Sequence, residues 1–513
     1  MLRKFKQGAI LTLLLVMIGS IALASCTNKS ALPESTKAVM AEALVQPDEP
    51  SGDNLTQAAQ QPATQQVVST RAVPTQAPYL PAVPVWGIEA YYLGADDPGL
   101  NLIKQSGAYW VRRNALLWSD VEPVEGVRTW EILTGLESEL KAAAAQGLQV
   151  ILVVRSTPEW AQSLPGSYCS PPKPESLDAF GDFLHEAVRR YSVPPYNVQY
   201  WEIGNEPDVA AGLVASDAPF GCWGQADDPY YGGEYYAEIL KAAYPQMKSA
   251  NPQAQVLVGG LLLDCDPVNP PEAQPGSGQL KDCTPARYLE GALAAGAGAY
   301  FDGISYHAYD YYAQKLGEYR NPNWNSAWNS TGPTLIAKAN YLRSLLNLYG
   351  ITGKYLMNTE AALLCGRDGS EPECQSEDYQ LTKSYFLAQS YVSAIAEHLT
   401  ANIWYSLTGW RATGLVDADV QPNQAYQAFV NSADRLEGAG FIGPLTDFPG
   451  VRGFGFERQG RPLWVLWSLD GQEHNLQFDQ LPTSVVDVFG AEIEPAMEIT
   501  VTLAPVYIEF AGK

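Results

Sequence analysis

Residues 200–208 read Tyr200-Trp201-Glu202-Ile203-Gly204-Asn205-Glu206-Pro207-Asp208: a short apolar run that stops at a proline and leaves an amide and a carboxyl side by side at its end. Pro207 cannot donate a ladder hydrogen bond, so a strand entering here ends here. Working outward, this is the fourth of eight similar runs, at residues 85–91, 108–114, 149–155, 198–203, 255–261, 301–306, 354–358 and 402–407. Most of the gaps hold a segment with helical apolar spacing, at residues 130–145, 177–191, 235–249, 333–348 and 379–399, and a last helix is expected near 424–436. Strand and helix alternating eight times predict an α/β fold, a parallel (β/α)8 TIM barrel. The competing arrangement is a doubly wound open sheet, which the count of eight and the absence of a strand–GxGxxG–helix fingerprint disfavour.

The barrel is expected over residues 81–440. Residues 441–513 carry short alternating β-branched and aromatic runs at 451–457, 462–468, 474–478, 484–488 and 499–509, which predict a small β-sandwich domain. Residues 27–80 are rich in Ala, Gln, Thr, Ser and Pro without apolar period and read as a flexible linker. Residues 1–26 have a basic start (Arg3, Lys4, Lys6), an apolar run too short to span a bilayer, and Leu23-Ala24-Ser25-Cys26. That ending resembles a bacterial lipobox. It implies a signal peptide cleaved before a lipidated Cys26, a membrane contact through this anchor only, and an extracytoplasmic protein.

The chain has 513 residues, 32 Lys+Arg against 56 Asp+Glu, and a formal charge of −24, which argues against nucleic acid and anionic membrane surfaces as partners. It is compatible with a neutral or cationic substrate. Beyond Cys26, six of the seven cysteines remain: Cys169, Cys222, Cys265, Cys283, Cys365 and Cys374. In an oxidising compartment an even number predicts disulfides. Cys265/Cys283 and Cys365/Cys374 are local pairs in loop-like sequence, and Cys169/Cys222 pair by default. Free buried thiols are the alternative. No CxxC or His/Cys spacing indicates a metal site, and no motif calls for a cofactor.

Barrel chemistry sits where strands end. The fourth run places Asn205 and Glu206 there. The seventh, Tyr355-Leu356-Met357-Asn358-Thr359-Glu360-Ala361-Ala362, places Glu360 across the same mouth. Two carboxyls on opposite sides of one mouth are what glycoside hydrolysis needs: one protonates the leaving oxygen, the other attacks or activates water. Glu206 would need apolar walls to hold a proton near neutral pH, and Glu360 would need donors to stay ionised. Glu89 and Glu202 are competing carboxyls, Glu202 being placed deeper on the same strand face as a buried partner.

With these residues in place, the stretch 85–440 resembles the retaining glycoside hydrolases of clan A, of the cellulase-like family 5 or xylosidase-like family 39 type. The resemblance implies Glu206 as acid/base and Glu360 as nucleophile. Asn205 would donate to the sugar 2-hydroxyl and Arg112 would support the nucleophile, with Arg113 the alternative on the other strand face. In the His307-Ala308-Tyr309 stretch, Tyr309 would bond the nucleophile and His307 would bind substrate, with a packing histidine the alternative for His307. Trp404 would be the platform under the sugar, with Trp410 in reserve. Carboxyls at these strand ends should lie about 5–5.5 Å apart, the retaining spacing. The expected function is retaining hydrolysis of glycosidic bonds in an oligo- or polysaccharide. The rival functions are an inactive carbohydrate-binding lipoprotein and a transglycosylase.

Overall fold

The computed structural model describes residues 67–68, 79–94, 97–210, 213 and 218–512. Cys26, the signal segment and nearly all of the expected linker lie outside them. The chain from Thr64 on is one compact unit.

Eight parallel strands close into a barrel: β1 (Trp86–Glu89), β2 (Trp110–Leu117), β3 (Gln149–Arg155), β4 (Tyr200–Asn205), β5 (Gln255–Leu261), β6 (Gly303–Tyr312), β7 (Tyr355–Leu364) and β8 (Ala401–Trp404). Each pairs with the next, β8 pairs with β1, and no edge is left open. A helix follows every strand: α1 (Pro98–Gln105), α2 (Thr134–Ala145), α3 (Leu177–Tyr191), α4 (Gly233–Ala250), α5 (Tyr288–Ala294), α6 (Leu335–Leu348), α7 (Glu377–Ala396) and α8 (Gln424–Leu436).

Local sequence explains these elements. In α3, Phe180, Phe183, Leu184, Ala187, Val188 and Tyr191 recur at helical spacing and form the buried face. Ser376 caps α7 by accepting from the Tyr379 amide, and Asn423 caps α8 by accepting from those of Ala425 and Tyr426.

Period-2 alternation sorts the strand residues between the helices and the barrel interior. The N-terminal end of the interior is filled by Trp110, Ile151, Leu257, Met357, Ala401 and Ile403. Two positions further along β1, β2 and β4, the inward residues become Glu89, Arg112 and Glu202, all buried.

The seventh run extends beyond its expected end. β7 continues through Leu364, and its pairing with β6 slips between Asn358 and Glu360. Glu360 therefore sits inside a strand, beside a bulge, which re-aims a side chain without ending the pairing.

After α8 the chain forms antiparallel strands β9 (Gly440–Leu445), β10 (Val451–Arg458), β11 (Arg461–Ser468), β12 (His474–Phe478), β13 (Ser484–Val486), β14 (Glu498–Val501) and β15 (Val506–Glu509). One sheet runs β9-β10-β11-β15-β13; β12 and β14 belong to a second, which Val67–Val68 join in parallel beside β12. Between the sheets lie Trp464, Leu466, Phe478, Ile499, Val501 and Ile508. The alternate residues Leu463, Val465 and Trp467 face the barrel's own core. Asn431 on α8 donates to the carbonyls of Asp487 and Val488. Within the expected linker, Tyr79 exchanges backbone hydrogen bonds with Phe441 and stacks on His398.

Candidate active site

The site is built on Arg112. Its guanidinium has no exposure and donates to Glu89 Oε2 (2.7 Å), Glu202 Oε1 (2.5 Å), Asn205 Oδ1 (2.5 Å) and Glu360 Oε1. Burial works against its charge, but three carboxyls outweigh this and hold its pKa well above the usual arginine value. Arg113 points outward and pairs with Glu139 on α2 at 2.7 Å, so the inward face belongs to Arg112. Glu202 is a buried partner of Arg112.

Glu360 accepts from Arg112 on one oxygen and from the Tyr309 hydroxyl on the other. Glu206 meets His307 Nδ1 at 2.8 Å, and the same nitrogen lies 3.3 Å from Glu360 Oε2. Oxygens of Glu206 and Glu360 lie within 4.8 Å of each other and of His307. Burial depresses the His307 pKa to about 4, so its ring is neutral near pH 7. Its Nε2 has no partner and lies against Gly260. An unpaired acceptor is cheaper there than an unpaired N–H, so the tautomer carrying hydrogen on Nδ1, donating between the two carboxyls, is the consistent assignment.

Burial raises both Glu206 and Glu360 to about 7; Arg112 and Lys338 oppose it at Glu206, and His307 and Arg112 oppose it at Glu360. Two such neighbours share a proton near neutrality, and hydrogen bonding decides which holds it. Glu360 has two donors fixed on its oxygens and favours the ionised form. Glu206 has one neutral imidazole and favours the protonated one.

Glu206 reaches this position through unusual backbone. Gly204 has φ +93°, a left-handed conformation that favours glycine. Glu206 itself has φ +47°, a left-handed conformation that costs a non-glycine residue about 1 kcal/mol or more. Its amide donates to the Gly260 carbonyl at 2.9 Å. Behind the rim, Asp208 accepts from the amides of Leu262 and Leu263 (2.8 Å each), and Lys338 Nζ donates to the carbonyls of Leu262 (2.6 Å) and His307 (2.7 Å).

The structure brings Glu206, Glu360, Arg112, Asn205, His307 and Tyr309 together. Trp404 is placed elsewhere. With Ala401 and Ile403 facing inward, alternation turns it outward against Phe386, where it is 0% exposed and its indole N–H donates to the Thr413 carbonyl (2.9 Å). A ring so enclosed has no free face for a sugar. The next residue, Tyr405, comes to the mouth, edge-on to Tyr309, Tyr91 and Trp410, and Tyr91 donates to its hydroxyl at 2.8 Å. Tyr91 and Trp410 are 49% and 50% exposed. Alternation counted from Ile403 would have found Tyr405. Nothing in the sequence marks Gly260 or Lys338, whose roles depend on contacts across strands.

The rim loops are stapled. Cys169–Cys222 ties the β3–α3 loop to the β4–α4 loop; Cys265–Cys283 and Cys365–Cys374 close the β5–α5 and β7–α7 loops on themselves. Trp223, whose ring lies beside Gly204, is held by its indole N–H to the Cys169 carbonyl (2.8 Å). Among the described residues, Glu206, His307 and Glu360 also form the one group close enough to hold a metal ion. Glu360, however, already carries a guanidinium and a phenol on its two oxygens, a donor set suited to an anionic carboxylate and not to a cation.

No family model and no curated protein sequence matches the chain. Solved structures do. It is similar to a family 39 glycoside hydrolase from the gut symbiont Bacteroides cellulosilyticus (TM-score 0.60, 18% identity, covering 83% of this chain and 81% of that one). It is similar to a family 30 subfamily 8 xylanase from Clostridium acetobutylicum (TM-score 0.55, 14% identity, 85% and 97% covered). It is also similar to a monomeric β-xylosidase from Caulobacter crescentus (TM-score 0.52, 13% identity, 85% and 97% covered). The fold is thus one that solved glycoside hydrolases of families 39 and 30 share.

Proposed function

We propose that the protein is a retaining glycoside hydrolase acting by double displacement. The observation that carries this is the closeness of the two carboxyls, within 4.8 Å, with Arg112 and Tyr309 both donating to Glu360. That gap has no room for the extra water an inverting pair needs, at about 6.5–9.5 Å.

The protonated Glu206 gives its proton to the leaving glycosidic oxygen while a Glu360 oxygen attacks the anomeric carbon, forming a glycosyl ester. Glu206, now ionised, takes a proton from water, which attacks the same carbon and releases Glu360. Arg112 and Tyr309 hold Glu360 in place and ionised as attacker and as leaving group. The neutral His307 spaces the two carboxyls. Asn205, its oxygen turned to Arg112, has no partner for its NH2 group among the described residues, which leaves that group for the sugar 2-hydroxyl, a contact that strengthens as the oxocarbenium-like transition state forms.

The similarity to a family 39 hydrolase, a xylanase and a β-xylosidase supports carbohydrate as the substrate. A screen of aryl glycosides and plant and microbial polysaccharides with chromatographic product analysis tests the reading. Hydrolysis of one class is expected, and inertness of the folded protein toward all of them counts against it. Cys26 is proposed as a lipid anchor holding the enzyme outside the cytoplasm. Cys26→Ala should then release the protein from bacterial membranes, and unchanged membrane partition would contradict this.

A further inference from the structure

Glu206 and His307 meet at 2.8 Å, yet they come from strands that are not neighbours, since β5 lies between β4 and β6. The strand ladders do not fix this distance. The β5–β6 register slips between Val258 and Leu261. Glu206 has left-handed backbone, and Pro207 after it has no amide hydrogen to donate. A further device has to hold the two strand ends together across β5.

The dipeptide that follows β5 supplies it. Each of its four backbone polar groups is taken by a buried side chain from another part of the chain. The amides of Leu262 and Leu263 donate to Asp208, two residues beyond Glu206 (2.8 Å each). The Leu262 carbonyl accepts from Lys338 Nζ (2.6 Å), and the Leu263 carbonyl from the Trp324 indole (2.7 Å). Lys338 Nζ then donates to the carbonyl of His307 itself (2.7 Å). A continuous path thus runs from Asp208 through the Leu262 peptide and Lys338 to His307. Leu263 has φ +49°, a strained conformation that persists because these bonds over-determine it.

Lys338 is in turn tied to the strand that carries His307 and Tyr309. Asp310 on β6 accepts from the amide (2.9 Å) and the hydroxyl (2.7 Å) of Thr334, the residue before α6. Burial pulls the Lys338 pKa down to about 8, against the pull of Asp208, Asp264 and Asp310, so its ammonium stays charged near pH 7. A charged donor makes the stronger bonds to the two carbonyls. We propose that Asp208 and Lys338 are positioning residues for the acid/base: through the Leu262 peptide they set Glu206 against His307 and keep its proton aimed at the leaving oxygen. This rests on the glycosidase reading and adds two residues to its machinery.

Leaving groups separate positioning from support of the fold. A departing 2,4-dinitrophenolate needs no proton, whereas a phenolate takes one from Glu206. The test compares kcat/KM of the full chain and its variants on the phenyl and 2,4-dinitrophenyl glycosides of the sugar or oligosaccharide released in the screen above. Lys338→Met should lose about tenfold to a hundredfold on the phenyl glycoside and less than about threefold on the dinitrophenyl one, since a misplacement of about 1 Å can cost a hundredfold. Asp208→Asn should show a smaller split in the same direction. Lys338→Arg, which can still donate to both carbonyls, should recover part of the loss. Equal losses on the two glycosides, or wild-type rates in Lys338→Met, overturn the inference and leave the glycosidase reading standing. Should Lys338→Met not fold, the split in Asp208→Asn decides. No cleavage of any glycan by the wild type sinks the glycosidase reading and this inference together.

Discussion

At the N-terminal end of the barrel interior, Trp110, Ile151, Leu257, Met357, Ala401 and Ile403 meet in an apolar layer. At the C-terminal end the barrel brings together Arg112, Glu89, Glu202, Glu206, Glu360 and His307, all buried. The first layer is stabilised by removing apolar surface from water, with nothing left to satisfy. The second takes five ionisable groups and an imidazole out of water, leaves His307 Nε2 and Glu202 Oε2 unpartnered, and holds Glu206 in a left-handed conformation. One end supplies the stability that the other consumes, which is how a strained polar site persists.

Substitutions that separate the two layers test this contrast. The largest effect is expected at Glu360. Glu360→Gly should lose about a thousandfold or more in kcat, recover turnover with added azide, and give the product of opposite anomeric configuration. Full activity in this variant would end the nucleophile assignment. Arg112→Met should abolish activity and also lower stability by about 3–5 kcal/mol, because three buried carboxyls lose their counter-charge. Denaturant titration reads this, and an unchanged midpoint would mean the network is not held by Arg112.

In the apolar layer, Leu257→Ala should cost about 2–5 kcal/mol in stability while kcat stays near wild type below the melting transition. A large fall in kcat with little loss of stability would erase the distinction between the layers. The smallest effect concerns pH. Burial raises the Glu206 pKa from its usual 4.5 to about 7, so its protonated form favours the fold. That stability is fully present below about pH 4.5 and is lost as pH rises through about 7. Glu206→Gln, which cannot ionise, should therefore gain stability relative to wild type between pH 4.5 and 7, by the order of 1–3 kcal/mol. A pH-independent difference would show that Glu206 is not buried as a neutral acid. In the wild type the alkaline limb of the activity profile should fall near pH 7, as Glu206 loses its proton.

The barrel was legible because its two periods are written plainly into the chain, and a proline marks where β4 stops. Asn205 and Glu206 were legible because they sit where an apolar run stops at a proline, Glu360 because a lone carboxyl interrupts an apolar run, and Arg112 because strand alternation set it against Arg113. Where that logic was not carried far enough, the reading failed. Counting inward positions from Ile403 reaches Tyr405 and passes over Trp404. The end of β7 was misplaced because a bulge breaks the period at Asn358 while the buried apolar run goes on to Leu364. The neutral His307 between the two acids is a contact between strands far apart in the chain, and no local pattern encodes it.

The central claim is that Glu206 and Glu360 form a retaining pair, and the anomeric configuration of the first product tests it most directly. A glycoside that the enzyme cleaves is followed by proton NMR from the first turnovers, before the product mutarotates. The account predicts that the configuration of the substrate is kept, through a glycosyl ester on Glu360. A first product of inverted configuration would contradict it.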